Sequence, residues 1–231
     1  MRSIWRTLDA VLLRDVAAVA LGAAVTGASF GAISVGSGLP WWMPVLMSLV
    51  IFAGGSQFMA VGIVAAGGSP AAAVVAGLVL NARHLPFGLA IGDVLGKSPL
   101  ARIVGSHLLI DESTAFAMSQ KDPARARAAY WACGAALFVS WNVGVLVGAL
   151  AGQAIGDPAT FGLDAAFPAA MLALTLPALK DTATRNAALA GAAIALATTP
   201  FLPAGVPVLL ALAGLLVFKT KKEEPCPSPQ S

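Results

Sequence analysis

Apolar residues run in long blocks along this chain, with polar positions gathered between them. The blocks occupy about 16–36, 41–66, 70–92, 129–155, 161–179, 186–200 and 204–218. A helix needs about 20 apolar residues to cross the hydrocarbon core of a bilayer, so the pattern predicts a helical span at each block. A further stretch, 103–119 (IVGSHLLIDESTAFAMS), is short and polar for a span. Pro200, Pro203 and Pro207 separate the last two blocks and predict a tight turn. The expected fold is all-α, a polytopic transmembrane helix bundle with seven or eight membrane segments. It forms one transmembrane domain over 1–218, followed by a short polar tail, 219–231. Arg2, Arg6 and Arg14 precede an apolar stretch from Val16 to Val35. That stretch exceeds the ~7–15 residues of a signal-peptide core and reads as a retained first span.

Composition agrees with a membrane protein. Only 11% of the 231 residues are charged, against about 25% in a soluble domain that must cover its surface. The net charge of +3 is small and its cations flank apolar runs, so no continuous basic face exists for nucleic acid. Cys133 lies in an apolar run and Cys226 in the tail, which points to neither a disulfide framework nor a metal site. No Walker loop, zinc spacing or dinucleotide fingerprint occurs, and no cofactor or metal is expected.

Lysine and arginine mark the cytoplasmic side of membrane proteins. If 103–119 spans and the N-terminus is cytoplasmic, eight spans place 11 such residues inside and 2, Lys97 and Arg102, outside. If 103–119 is re-entrant and the N-terminus is outside, seven spans give 10 inside and 3 outside. Both arrangements leave Arg83 in the membrane and put the 121–127 loop, the 180–185 loop and the C-terminus in the cytoplasm. Trp5, Trp41, Trp42 and Trp131 sit near span ends, as interfacial rings should, whereas Trp141 lies mid-span. A faint repeat at an offset of 124 matches Gly38-Leu39, Pro44 and Met47 to Gly162-Leu163, Pro168 and Met171. It points to two related halves, with chance agreement in low-complexity sequence as the alternative.

Polar groups inside apolar runs are the informative residues, because charge at bilayer depth is costly and faces a bundle interior or a water-filled path. Gly54-Gly55-Ser56-Gln57 would weaken a span and free backbone amides for an anionic group; the bland alternative is a packing notch. Asn81-Ala82-Arg83-His84 interrupts a run close to mid-bilayer, where Pro86 also frees the Ala82 carbonyl. The alternative there is a purely structural arginine. His107, Asp111 and Glu112 form the third cluster, with Arg83 the obvious partner for one of the carboxylates; the alternative is an interfacial turn in water. Gly54, Gly55, Ser56, Gln57 and Asn81 are thus candidate substrate contacts. Arg83, His84, His107, Asp111 and Glu112 are candidates for a buried charge network or proton coupling. Gly27-Ala28-Ser29-Phe30-Gly31 matches GxSxG, a hydrolase motif that works only on a strand-turn-helix; in a span it reads as packing.

The order Gly27-x-x-Phe30-Gly31, Gly38-Leu39, Ser48, Phe52-Ala53-Gly54, Gln57-Phe58, Asn81-x-Arg83-His84, Asp111-Glu112 and Gly162-Leu163-Asp164 resembles the AzlC family over about residues 15–218. The resemblance implies a bacterial inner-membrane subunit exporting leucine, isoleucine, valine and, in some members, methionine. It also implies proton-motive coupling and a small, separately encoded AzlD-like membrane subunit. The family's NLRHLLYG-like stretch is NARHLPFG here, so Pro86 and Phe87 depart from the pattern. An intramembrane enzyme, which lacks a recognisable catalytic constellation, and a channel or scaffold subunit without active transport are the alternatives.

Overall fold

The computed structural model describes residues 9–155 and 178–217, with the isolated positions 172, 175 and 176. Every regular element among them is helical. They belong to two compact units, Met1–Met171 and Leu172–Ser231.

Two long helices form the spine of the first unit, α1 (Ala10–Gly36) and α8 (Pro123–Ile155). Each starts at an aspartate, since a helix N-terminus needs acceptors for its free amides. The Asp9 carboxylate accepts from the Leu12 amide and that of Asp122 from the Arg125 amide, both at 2.8 Å. Both helices are long and apolar enough to cross a membrane. They run side by side in the same direction. Gly144, Gly148 and Gly152 of α8 lie against the backbones of Ala24, Ala28 and Ala32, while Gly27 and Gly31 lie against Trp141 and Val145. A Cβ on Gly27 would stand 2.6 Å from the Trp141 carbonyl oxygen. Small residues at four-residue spacing let two backbones approach this closely, as in other membrane helix pairs. An Arg125–Asp9 ion pair at 2.6 Å joins the two N-terminal ends.

The predicted span 41–66 is two helices. α2 (Trp42–Ile51) descends against α8: the Ser48 hydroxyl donates to Asn142 Oδ1 at 2.6 Å, and the Phe52 ring meets Phe138 at 5.0 Å. The chain then breaks at Phe52, whose φ of 38° is left-handed, and at Ala53. α3 (Gly54–Ala65) retraces the path, with Gly54 beside the Trp141 ring and Phe58 against Phe30 at 5.2 Å. Next come α4 (Pro70–Asn81) and α5 (His84–Leu95), capped at the start by Ser69 and bent 48° between them. Taken together, this bent pair is also long enough to be one span.

α5 ends where α8 begins. A Cβ on Gly96 would lie 2.7 Å from Arg127 Nη2, and the Gly96 carbonyl accepts from Arg102 Nε at 3.3 Å. α6 (Pro99–His107) then climbs along α8. Its Gly105 carbonyl accepts from the Tyr130 hydroxyl at 2.6 Å, Leu108 abuts Gly134, and the His107 ring lies 5.5 Å from Phe138. α7 (Asp111–Met118) returns, so that Gln120 Oε1 accepts from Arg125 Nε at 3.3 Å. The 103–119 stretch is therefore a helical hairpin turning at 108–110. Trp131 packs at 6.0 Å and right angles to the buried Tyr130.

In the second unit, α9 (Thr182–Thr198) is capped by Asp181, which accepts from the Thr184 amide at 2.7 Å. It packs on α10 (Val206–Leu210) and the 3-10 turns Ala211–Val217. Gly191 sits against the Ala211 carbonyl, 2.6 Å from where its Cβ would be. The Pro-rich turn falls where the sequence places it. The block 161–179 is almost wholly outside the described residues, as are Trp5, the second copy of the repeat and the tail.

Candidate functional site

Three interruptions of helical backbone, at 52–53, 82–83 and 108–110, come together in the middle of the first unit. Phe52 from the first and His107 beside the third face each other at 6.1 Å, and Phe138 of α8 completes the triangle. Arg83 from the second pairs with Asp111 from the third, Nη1 to Oδ2. Of the two carboxylates the sequence left open as partners for Arg83, Asp111 makes the contact.

Helix termini explain the electrostatics. Asp111 and Glu112 occupy the first turn of α7, where free amides and the helix dipole favour negative charge. Ser113 Oγ holds that turn by accepting from the Ile110 amide at 3.1 Å and donating to the Leu108 carbonyl at 2.9 Å. The Arg83 and Asp111 side chains are 35% and 26% exposed. The pair thus borders open space and is not sealed in the bundle, which a charge at this depth tolerates only beside water or polar groups.

Phe52 leads into the N-terminus of α3. Its cap residue, Ala53, provides no side-chain acceptor, so the first amides of the helix lack partners within it. Ser56 Oγ donates back to the Ala53 carbonyl at 2.8 Å. Gln57 is fully buried, and neither its Oε1 nor its Nε2 has a hydrogen-bond partner. Asn81 Oδ1, Arg83 Nε, Asp111 Oδ1 and Thr114 Oγ1 are likewise buried and unpartnered. Leaving such a group unsatisfied costs about 1–3 kcal/mol, and these groups are concentrated beside the breaks. Buried aromatic packing adjoins them: Phe30 stacks on Trp141 at 6.0 Å, and Phe58 meets the same indole edge-on.

The AzlC protein family model matches residues 18–155, more than half of the chain. The chain belongs to the AzlC family. The branched-chain amino acid transport protein AzlC of Bacillus subtilis (strain 168) is 26% identical over 206 residues, covering 86% of this chain and 80% of that protein. An uncharacterized membrane protein of Helicobacter pylori (strain ATCC 700392 / 26695) is 26% identical over 211 residues, covering 89% and 92%. No solved structure matches the chain.

The AzlC match takes in α2 to α7 whole, and with them every candidate residue read from the sequence. In this AzlC-family chain the expected break at Gly54-Gly55 lies one step earlier, at Phe52-Ala53, because Phe52 packs between Phe138 and His107. Gly54 faces the Trp141 ring, 2.7 Å from an ideal Cβ, so a side chain there would collide with the indole. Gly55 and Ser56 are buried in the first turn of α3. His84 stands next to Arg83 with its ring 6.2 Å from Phe87. The GxSxG residues prove to be packing: Ser29 Oγ donates to the Val25 carbonyl at 3.2 Å, while Gly27 and Gly31 seat α8. Sequence reading missed two features. One is the Ser48–Asn142 hydrogen bond, flagged only by an asparagine inside an apolar run. The other is the cluster of Phe30, Phe52, Phe58, Phe138 and Trp141, which nothing in the linear pattern connects. Among the described residues no three His, Cys, Asp or Glu side chains group as metal ligands.

Proposed function

We propose that this chain is the large subunit of a membrane transporter that exports branched-chain amino acids. The observation that carries the reading is the meeting of three broken helices around unpartnered polar groups and an aromatic wall. Transporters bind polar substrates at such half-helix ends, where freed backbone offers charge complementarity without a charged side chain. The named relative in Bacillus subtilis supports the substrate class, and family membership favours transport over catalysis.

In this reading the backbone amides of Gly54, Gly55 and Ser56, with the side-chain amide of Gln57, take the substrate carboxylate. Asn81 and the free oxygen of Asp111 face the ammonium group, and the aromatic cluster takes the aliphatic side chain. Arg83 pairs with Asp111, and Glu112, Asp111, His84 or His107 carries the coupling proton. Residues 1–218 form the transporter domain, with eight membrane segments when hairpins are counted, in a bacterial inner membrane with the C-terminus cytoplasmic. A small AzlD-like subunit completes it, and methionine is a secondary substrate. The decisive experiment loads cells with leucine-containing dipeptides and follows export of the freed amino acids. Export that requires this chain and its partner supports the reading; equal export without them ends it.

A further inference from the structure

The contacts along α8 act as a ruler for depth. α2 passes Asn142 with Ser48 and reaches Phe138 with Phe52, and α3 then rises past Trp141 toward Phe30. From the other end, Gly96 sits at Arg127, Gly105 at Tyr130, Leu108 at Gly134 and His107 at Phe138; α7 falls back until Gln120 reaches Arg125. Each segment goes half-way along α8 and returns. Among the described residues, only α1, α8 and the bent α4–α5 pair are long and apolar enough to cross.

We propose that α2–α3 and α6–α7 are re-entrant hairpins entering from opposite membrane faces, and that Phe52 and His107 at their tips form the barrier between two half-paths. Charge supports this independently. Residues 9–155 contain seven Lys and Arg. Six of them (Arg14, Lys97, Arg102, Lys121, Arg125 and Arg127) lie at the end where α1 and α8 begin, and Arg83 lies at the tips. The turns at 37–41 and 66–69, at the opposite end, hold no charged residue. The rule that cations stay cytoplasmic then orients the unit, with the N-terminus, the 96–98 turn and the 119–122 turn all inside. Neither arrangement read from the sequence had this combination: one crossed the membrane at 103–119, and the other put the N-terminus outside. Irregular backbone at membrane depth is tolerated only where it is buried in protein or lines a cavity, and here both hairpin tips are covered by each other and by α8.

The hairpin orientation is tested without reference to transport. Single cysteines replace Ser37, Ala66, Ser98 or Ser119 in a Cys133→Ala, Cys226→Ser background, and a membrane-impermeant maleimide is applied to intact and permeabilised cells. Ser37→Cys and Ala66→Cys should label in intact cells, and Ser98→Cys and Ser119→Cys only after permeabilisation. Labelling of Ser98→Cys but not Ser119→Cys in intact cells would mean that 99–118 crosses, and would overturn the proposal. So would an Ala66→Cys that labels only after permeabilisation. The barrier rests on the transport reading and is tested separately in vesicles. Phe52→Gly keeps a residue suited to positive φ but removes the ring, and His107→Ala removes the opposing one. Each should raise passive leucine leak at least tenfold; leak unchanged in both variants overturns the barrier while leaving the hairpins intact.

Discussion

At the scale of single residues, Gln57 presents the sharpest test. Its amide is buried with neither atom partnered, an arrangement that a purely structural residue would have no reason to keep. Gln57→Leu is close in size and removes the unsatisfied group. Thermal stability in detergent should hold or rise by up to about 1–3 kcal/mol, while leucine transport in vesicles falls at least tenfold. Transport at the parental rate would show that the amide serves packing alone. Arg83 and Asp111 behave differently, because removing one partner strands the other. Fully buried pairs lose about 3–5 kcal/mol on such a change, and partial exposure screens this pair toward the smaller values of surface bridges. Arg83→Ala should therefore lower the folded yield by the equivalent of about 1–2 kcal/mol. Adding Asp111→Asn should recover part of it, read as detergent-soluble monodisperse protein.

Helix pairing is the next scale, and glycine position decides it. A Cβ on Gly148 would collide with the backbone of Ala28, and neither backbone can yield without parting α1 from α8. Gly22 lies on the same α1 with nothing within 4 Å of its would-be Cβ. Gly148→Ala should lower the melting temperature, at a cost of about 1–3 kcal/mol for overpacking. Gly22→Ala should leave it unchanged or raise it by up to about 1 kcal/mol through better helix propensity. Equal effects from the two would show that the seam is looser than its geometry. The Asp9–Arg125 tie at the end of this seam is acid-sensitive. The Leu12 amide, then the Arg125 guanidinium, hold the Asp9 carboxyl below its ordinary 3.8. The contribution of the tie is complete above 3.8 and is lost as pH falls through the depressed value. Arg125→Ala should move the Asp9 titration, followed by NMR, back upward.

For the molecule as a whole, the proposed export needs a driving force. No nucleotide-binding loop exists in the sequence, and Asp111 and Glu112 lie together at the start of α7 beside a permanently charged arginine. On the proposed reading one of these two carboxylates carries the coupling proton, and amide variants distinguish them. Glu112→Gln should abolish accumulation of leucine against its gradient in energised vesicles, yet spare exchange of labelled for unlabelled leucine. Asp111→Asn should impair both, since it also frees Arg83. If both single variants keep full pH-dependent uphill transport, the histidines at 84 and 107 become the candidates.

The sequence by itself determined the medium and the inventory. Long apolar runs permit only helices in a bilayer, because every backbone group must be satisfied within its own segment. Polar residues lodged in those runs are costly enough to stand out, which is why Gln57, Asn81, Arg83, His107 and Asp111 were legible without coordinates. The pattern could not say whether an apolar run crosses or turns back. Residues 41–66 and 103–119 have the hydropathy of one long and one doubtful span. Gly54-Gly55 announces the first break one step late, and the break at 108–110 carries no glycine or proline to announce it. Phe52 takes a left-handed conformation because its ring is held between Phe138 and His107, residues 86 and 55 positions away. Backbone strain of this kind costs about 1–3 kcal/mol, and only contacts distant in sequence can hold it. The tip-to-tip meeting of the two hairpins and the choice of Asp111 over Glu112 as partner of Arg83 likewise depend on contacts distant in sequence.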